Sequence, residues 1–255
     1  MILVLSGTED GKEIVKRLYD NGYDLLTSVA TEYGKAMFER MSLGEICIQG
    51  RLDADGLVSL IEDKQIDLLI DATHPYAINV SLNAIKACNE KNIRYIRFQR
   101  RKTDLPVSKF IHVVNDVDEA ISKCKELGKK IMLTTGFNNI KDFVRLNGEI
   151  ELVVRVLPIA DHVQKCVKMG IHASNIIALQ GPFSFELNKA LYERFKVDTI
   201  VTKDSGKQGG VIEKIDAAVK SEINVVLIKR PEIDYPCVYS LIDEIFDDLD
   251  KEFNQ

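Results

Sequence analysis

The regular alternation of short apolar runs with amphipathic segments constrains this chain more than any other feature. Residues 1–6 form a continuous apolar run, and residues 12–21 follow with Ile14 and Leu18 at helical spacing. A strand without polar alternation is buried on both faces, as in a parallel sheet that helices cover on both sides. The pattern therefore predicts an α/β fold built from doubly wound, Rossmann-like units.

The alternation is interrupted once. It runs to a predicted strand at residues 94–98, stops at residues 100–109, which are charged and contain Pro106, and then restarts. A segment that shows neither period marks a domain boundary. We expect two Rossmann-like domains with parallel sheets, residues 1–101 and 108–255, and a cleft between them that holds small ligands.

The chain ends in a predicted acidic amphipathic helix at residues 241–253. Leu241, Ile245 and Leu249 lie on one face of this helix. We expect the helix to pack through these side chains as the last element of the second domain.

Charge and hydropathy exclude two classes of partner. The formal net charge is -5 at pH 7, which argues against nucleic acid or an acidic membrane surface as a partner. No stretch approaches the ~18 consecutive apolar residues of a membrane span. The N-terminus lacks the basic leader of a secretion signal and reads as a buried strand. We therefore expect a cytoplasmic protein that acts on a small molecule.

The cysteines and histidines show no metal-ligand spacing. Five cysteines are scattered without a C-x-x-C pair, and the four histidines form no H-E-x-x-H pattern. An odd number of dispersed cysteines is typical of reduced, buried thiols. The sequence predicts neither a disulfide nor a metal site.

The turn after the first apolar run has the position of a dinucleotide loop. Gly7 and Gly11 allow close backbone approach, Thr8 adds a hydroxyl donor, and a helix N-terminus follows. Such a terminus favours a pyrophosphate through its unpaired N–H groups and its dipole. The turn lacks the full G-x-G-x-x-G pattern, so an ordinary tight turn between strand and helix is the alternative.

The second strand favours NADPH over NADH. In NAD-binding domains an acidic residue at the end of this strand binds the ribose 2′-hydroxyl. Here the strand reads LLTSVAT, with Ser28 and Thr31 at its end and Lys35 nearby. Hydroxyls and an amine suit a 2′-phosphate, although a plain polar strand end would look the same.

The segment DLLIDATHPYA predicts a second cluster at the same sheet edge. Asp71, Thr73, His74 and Tyr76 follow the fourth predicted strand, and Pro75 holds the turn. Ligands of open α/β sheets bind at the carboxyl ends of the strands. We expect His74 to orient a nicotinamide or to supply a proton. Its alternative role is to cap the next helix or to bind a backbone carbonyl.

Three stretches of the second half have a similar placement after predicted strands. Glycines beside lysine and hydroxyls make a cradle for carboxylate or phosphate oxygens, and a solvated loop is the alternative. The stretches are LTTGFNN with Thr134, Thr135 and Gly136, LQGPFS with Gln180, Gly181, Pro182 and Ser184, and TKDSGKQGG with Lys203, Asp204, Ser205, Gly206 and Lys207.

Two further patterns have a non-functional interpretation that we prefer. The run RFQRRK supplies Arg97, Arg100, Arg101 and Lys102, and arginine forks pair well with carboxylates. A charge run is usually solvated surface, and that is our interpretation of most of these four. Tyr192 and Lys196 have the Tyr-x-x-x-Lys spacing of short-chain dehydrogenases. They lie beyond the predicted boundary, so we interpret the spacing as chance.

Taken in order, ILVLSGTEDG, DATHPYA, TTGFNN, the arginine-proline pair in RVLP, LQGPFS and TKDSGKQGG resemble the precorrin-6A reductase family of cobalamin biosynthesis. The resemblance covers nearly the whole chain. It implies hydride transfer from NADPH to a double bond of a ring-contracted macrocycle, which gives precorrin-6B or its cobalt form. It also implies a substrate with many acetate and propionate arms. The chain departs from the family pattern at Ser6 and Asp204.

The residue patterns and the resemblance together assign roles to particular residues. We expect catalytic roles for His74 and Lys203. The remaining expectations are dinucleotide contacts at Gly7, Thr8, Glu9, Gly11, Ser28, Thr31 and Thr73, and substrate contacts at Tyr76, Thr135, Gly136, Gln180, Ser205 and Lys207. Candidate cations for the substrate carboxylates are Lys203, Lys207, Arg97 and Arg100. The functional alternatives are a short-chain-type dehydrogenase of a smaller carbonyl and a non-catalytic NADP-binding sensor. The metal content of the substrate, the proton donor and the oligomeric state stay open.

Overall fold

The computed structural model describes residues 1–101, 104–204, 206 and 209–253. The chain forms two compact units, one made of Met1–Arg101 with Pro231–Gln255 and the other of Lys102–Arg230. Each unit contains one parallel sheet with helices, which confirms the predicted α/β class.

Strands and helices alternate as the sequence predicts. The described residues contain strands β1 (Ile2–Leu5), β2 (Leu25–Val29), β3 (Cys47–Gln49), β4 (Leu68–Asp71), β5 (Arg94–Phe98), β6 (Ile111–Val114), β7 (Lys130–Leu133), β8 (Glu151–Val156), β9 (Ile176–Ala178), β10 (Thr199–Lys203), β11 (Asn224–Ile228) and β12 (Val238–Tyr239). The helices among them are α1 (Glu9–Asp20), α2 (Glu32–Arg40), α3 (Ala54–Lys64), α4 (Ile78–Lys91), α5 (Val117–Leu127), α6 (Phe137–Phe143), α7 (Ala160–Lys168), α8 (Phe185–Phe195), α9 (Val211–Lys220) and α10 (Ile242–Phe253).

The sheet of the first unit has the Rossmann strand order. Its strands lie in the order β12-β5-β4-β1-β2-β3, and Ile2 of β1 pairs with Leu25 on one side and Leu68 on the other. The order reverses between β1 and β4. In sheets of this kind ligands bind outside the carboxyl ends of the strands at that reversal.

Helices cover this sheet on both faces because alternate residues of each strand point to opposite sides. Ile2 and Val4 of β1 enter one apolar cluster, whereas Leu3 and Leu5 enter another. All four are buried. The continuous apolar run therefore has the physical cause that the sequence analysis assigned to it.

Side-chain caps set where the first helices begin. Thr8, Thr31 and Asp53 each accept a hydrogen bond from the backbone N–H three residues ahead. Such a bond satisfies one of the donors that the first helical turn leaves unpaired.

The C-terminal tail belongs to the first unit, so the predicted second domain of residues 108–255 was wrong in its last part. β12 pairs with β5, where the Arg97 N–H donates to the carbonyl of Cys237 at 2.8 Å. α10 buries Ile245 and Leu249 in the same cluster as β1, whereas Leu241 is exposed. The tail covers an otherwise open sheet edge, and sequence order alone does not reveal that return.

The second unit has the same strand order. Its sheet reads β9-β8-β7-β10-β11-β6, with the reversal between β7 and β10. β6, at the start of this unit, occupies the edge position that β12 occupies in the first. The sequence analysis did not predict helices α6 and α7 or strand β12. Helix α6 is short and contains Asn138 and Asn139, which are poor helix formers.

Burial makes the thiols of Cys88 and Cys124 unreactive. All five cysteines are free, and burial raises the pKa of Cys88 and of Cys124 to about 12. A thiol with such a pKa is not a nucleophile at neutral pH.

In the described residues, no helix is both long and apolar enough to cross a membrane.

The docking of α10 generates a stability prediction. Ile245→Ala should lower the free energy of unfolding by about 2–5 kcal/mol, because it opens a cavity in the core of the first unit. Leu241→Ala, on the exposed side of the same segment, is the matched control and should change it by at most about 0.5 kcal/mol. Urea unfolding followed by far-UV circular dichroism measures both. Equal effects of the two substitutions would contradict the packing of the tail on the first unit.

Candidate functional site

The carboxyl ends of β1 and β4 are tied together by Thr8. Its hydroxyl donates to the carbonyl of Ala72 at 3.0 Å and accepts from the N–H of Gly11 at 3.0 Å. The predicted hydroxyl donor is therefore engaged inside the protein, and Thr8 acts on a ligand through the backbone that it positions. Direct contact of Thr8 with a cofactor stays a prediction.

The two glycines of this loop differ in function. Gly7 is exposed, and a Cβ added to it would meet no atom within 4 Å. Gly11 is buried, and a Cβ there would lie 2.5 Å from Oγ of Ser6. Gly11 thus allows helix α1 to approach β1, whereas Gly7 leaves the backbone open to a ligand. The Ser6 hydroxyl is buried and has no hydrogen-bond partner within the described residues.

The end of β2 lies beside this loop. The carbonyl of Ser28, which is buried, accepts from the Ser6 N–H at 2.9 Å. Thr31 is exposed, and its hydroxyl accepts from the N–H of Gly34 at 3.1 Å as the cap of α2. The next acid along the chain, Glu32, is exposed in the first turn of α2. Glu9 is exposed as well and pairs with Lys12 at 2.6 Å.

Asp71, at the end of β4, is the most heavily bonded carboxylate at this edge. It is completely buried. Its Oδ1 accepts from the Thr73 hydroxyl at 2.6 Å and from Arg97 at 2.6 Å, and its Oδ2 accepts from Ser81 at 2.6 Å and from Tyr95 at 2.8 Å. Burial and the charge of Asp71 raise the pKa of Tyr95, so its hydroxyl stays a donor.

Arg97 corrects the interpretation of RFQRRK as solvated surface. Its side chain is fully buried, and its guanidinium donates to the Thr73 hydroxyl and carbonyl, each at 3.0 Å, besides Asp71. Its positive charge is thus committed and not available to a substrate carboxylate. Arg100 pairs with the buried carboxylate of Asp10, and Lys102 lies outside the described residues.

The Asp71 network positions the loop that carries His74. Thr73 uses both its hydroxyl and its carbonyl in that network, so its assigned contact with a cofactor stays a prediction. His74 is exposed, and its Nδ1 accepts from the N–H of Tyr76 at 3.3 Å. Because Nδ1 is an acceptor there, the neutral ring carries its proton on Nε2. The ring centres of His74 and Tyr76 lie 5.5 Å apart. Helix α4 then begins at Ile78, and its N-cap residue Ala77 provides no side-chain cap.

The second unit presents a comparable edge at β7 and β10. The Thr135 hydroxyl is buried and has no hydrogen-bond partner among the described residues, and Gly136 follows with a φ of 84°. Nζ of Lys203 donates to Oδ1 of Asn139 at 2.6 Å. Burial lowers the pKa of Lys203 to about 8, and the carboxylate of Asp142 opposes that shift. The amine of Lys203 is therefore mostly charged at neutral pH.

The TKDSGKQGG loop contains a second buried ion pair. Asp204 and Arg230 are both buried, and Nε of Arg230 lies 3.0 Å from Oδ2 of Asp204. Asp204 thus holds the loop instead of facing an anion. Ser205 and Lys207, both predicted substrate contacts, lie outside the described residues, and Gln180 is exposed after β9.

Two other placements decide between the alternatives. Tyr192 is completely buried, donates to the carbonyl of Lys214 at 3.2 Å, and has a pKa that burial raises. Lys196 is exposed at the end of α8. The structure therefore removes Tyr192 as the acid of a short-chain dehydrogenase.

Sequence reasoning missed a ring stack in the second unit. Phe137 of α6 and His162 of α7 stack with centroids 4.3 Å apart, and Nδ1 of His162 is buried with no partner in the described part of the chain. The two residues are 25 positions apart by their numbers, and no local pattern links them. The described residues hold no cluster of three or more His, Cys, Asp or Glu side chains that suits a metal ion.

Comparisons with known proteins identify relatives along nearly the whole chain. The family model for Precorrin-6x reductase CbiJ/CobK matches residues 1–250. The cobalt-precorrin-6A reductase of Methanocaldococcus jannaschii is 39% identical over 246 residues, and that of Priestia megaterium is 35% identical over 249 residues. Each alignment covers 96% of both proteins. The solved structure of CobK precorrin-6A reductase has a TM-score of 0.82 at 21% identity, over 98% of this chain and 96% of that one, and shows the same fold.

The buried network at β4 generates a second prediction. Asp71→Asn should lower the free energy of unfolding by about 3–5 kcal/mol, because it leaves the buried Arg97 without a negative charge. Asp67→Asn, at an exposed aspartate that pairs with the N-terminus, should have little effect. Thermal unfolding of both variants provides the measurement. If Asp71→Asn were as stable as the control, the network would not hold the His74 loop.

Proposed function

Since the chain belongs to the precorrin-6x reductase CbiJ/CobK family, we propose that it reduces cobalt-precorrin-6A to cobalt-precorrin-6B with NADPH in cobalamin biosynthesis. The observation that carries the proposal is the similarity of nearly the whole chain to cobalt-precorrin-6A reductases from two organisms. The cobalt form is preferred over the metal-free form because both of these relatives are named for it. The cobalt enters as part of the substrate.

The edge of the first unit fits NADPH as the reductant. Gly7 is open to close approach, and the unpartnered Ser6 hydroxyl lies beneath the same turn. β2 ends in Ser28 and Val29, so it lacks the acid that would repel a 2′-phosphate. We assign the dinucleotide to Gly7, Thr8, Glu9, Ser28 and Thr31, with Gly11 and Thr73 holding the loops in place. When bound, NADPH supplies the hydride, and the protein supplies orientation and charge.

His74 is assigned to the reaction itself. Its ring is exposed at the carboxyl end of β4, and the bond to Tyr76 fixes which nitrogen carries the proton. In the neutral ring, Nε2–H can donate a hydrogen bond to the cofactor amide. After Nδ1 takes up a proton, the imidazolium can instead deliver the proton that completes reduction of a double bond and return to the neutral ring. The buried pair of Asp71 and Arg97 keeps the loop in position for either role.

The second unit is assigned to the substrate. Lys203 provides a positive charge, and Thr135 provides a buried hydroxyl that has no partner within the described residues. These groups suit a substrate that carries many carboxylates. Tyr76, Gly136 and Gln180 complete the proposed contacts. Ser205 joins them on the family resemblance and Lys207 as a cation of the TKDSGKQGG loop, and both lie outside the described residues.

Turnover tests the proposal directly. Adding enzymatically prepared cobalt-precorrin-6A to the protein and NADPH should cause stoichiometric loss of NADPH absorbance, with NADH oxidised more slowly. Metal-free precorrin-6A is the comparison substrate and should react more slowly. Binding of NADPH without oxidation by either substrate would leave a non-catalytic NADP-binding protein and overturn the proposal. A preference for NADH would overturn only the cofactor assignment.

His74 can be tested separately. His74→Ala should lower kcat by about a hundredfold or more, the usual contribution of a positioned acid or base, with an unchanged Tm. His172→Ala is the matched control, because His172 is also exposed but precedes β9, at the opposite end of its sheet. Steady-state kinetics with cobalt-precorrin-6A measure both variants. Unchanged kinetics in His74→Ala would remove this residue from the active site.

A further inference from the structure

Three of the sequence motifs meet around one cation in the second unit. The guanidinium of Arg155, in RVLP, lies 4.2 Å from the ring centre of Phe183, in LQGPFS. Its NH1 donates to Oδ1 of Asn188 at 2.8 Å, and Nδ2 of Asn188 donates to the carbonyl of Phe183 at 3.1 Å. A Cβ on Gly210, in TKDSGKQGG, would lie 3.1 Å from Pro182. The three motifs therefore build one local structure.

Lys214 lies beside this structure in the first turn of α9. Only 6% of it is exposed, and Tyr192 binds its backbone carbonyl. Its ammonium has no hydrogen bond or ion pair among the described residues. Burial and then the charge of Arg155 lower its pKa to about 7, and Glu213 opposes that shift.

The charges at this place are unbalanced. Arg97 and Arg230, the other cations that are buried in the described residues, each pair with a buried aspartate. Arg155 has a neutral amide as its acceptor instead. Glu213 is the one acid that acts on Lys214, and its buried Oε2 has no hydrogen-bond partner within the described chain. With Lys214 protonated, two cations and one carboxylate leave an excess of one positive charge, and a bound anion would favour that protonated form.

We propose that Arg155 and Lys214 bind one carboxylate, an acetate or propionate arm of the tetrapyrrole, as a site on the second unit. Both residues lie toward the carboxyl edge of the sheet, because Arg155 is the second-last residue of β8 and Lys214 is in the first turn of α9. The N-cap residue of α9, Gly210, makes no side-chain cap, so the N-terminus of the helix adds to the attraction of an anion. A single carboxylate matches the excess charge, whereas a phosphate carries more. The assignment of the anion to the substrate rests on the proposed function.

The site can be tested by binding alone. Uroporphyrin III, a stable tetrapyrrole with an acetate and a propionate arm on every ring, is the probe. Its fluorescence anisotropy reports binding without interference, because a porphyrin absorbs and emits visible light and the side chains of this protein do not. Lys214→Met should weaken binding about tenfold to a hundredfold, the value of a hydrogen bond to a charged group. Lys168→Met, at an exposed lysine of the same unit, should leave the affinity unchanged.

Folding of the variant is checked by its Tm. Lys214→Met should keep the Tm or raise it by about 2–4 °C, because methionine replaces an unpaired buried amine with an unbranched apolar side chain that is shorter by one atom. A binding residue of this kind reduces stability in the absence of its ligand. Arg155→Met is the second variant, and it should also weaken uroporphyrin binding about tenfold.

Three results would overturn the site. The first is an unchanged affinity for uroporphyrin in a folded Lys214→Met or Arg155→Met protein. The second is a loss of affinity in Lys168→Met that equals the loss in Lys214→Met. The third is displacement of uroporphyrin by inorganic phosphate at a concentration at which acetate has no effect. The last result would make this a phosphate site. A different result would overturn the proposed function and keep the carboxylate site. In that case the protein without substitutions would not reduce cobalt-precorrin-6A with NADPH, but Lys214→Met would still weaken uroporphyrin binding.

Discussion

Asp71 and Arg97 form an ion pair from which solvent is fully excluded, and the edge of the first unit depends on it. Burying two charges costs several kcal/mol per ion, so such a pair depends on further hydrogen bonds to both groups. Thr73 bonds the guanidinium of Arg97, whose Nε alone has no partner within the described residues. Thr73, Ser81 and Tyr95 complete the carboxylate, and they come from the loop after β4, from α4 and from β5. The pair therefore holds two strand ends, a helix and the His74 loop in one arrangement.

The second unit uses the same solution at the same place. Asp204 follows β10 and Arg230 follows β11, and these strands occupy the positions that β4 and β5 occupy in the first sheet. Each pair ties the loop after the strand at the reversal to the neighbouring strand. Against this background, the cations Arg155 and Lys214 differ because no buried aspartate neutralises them. The two buried pairs maintain structure, and the unbalanced cations are suited to a ligand.

Much of the candidate site was predictable, and the errors have one cause. The motifs placed His74, Lys203 and Thr135 at the carboxyl ends of strands, where the structure has them. The motifs gave no sign that the Thr8 hydroxyl and the Arg97 charge are engaged within the protein. Thr8 binds a carbonyl 64 positions away and Arg97 binds a carboxylate 26 positions away. Side-chain partners at such separations leave no periodic signal, so a polar residue engaged internally looks like one that faces a ligand.

The sequence by itself determined the α/β class, the two-unit organisation and the strand ends at which chemistry-bearing residues lie, because burial on both faces of a sheet imposes a local apolar pattern. The tertiary structure decided that residues 231–255 return to the first unit and that Arg97 is a core residue. It also decided which buried cations form an ion pair with a carboxylate and which form none among the described residues. These outcomes depend on which strand edge is open and on which charges meet after folding, and those contacts join residues that are distant in the chain.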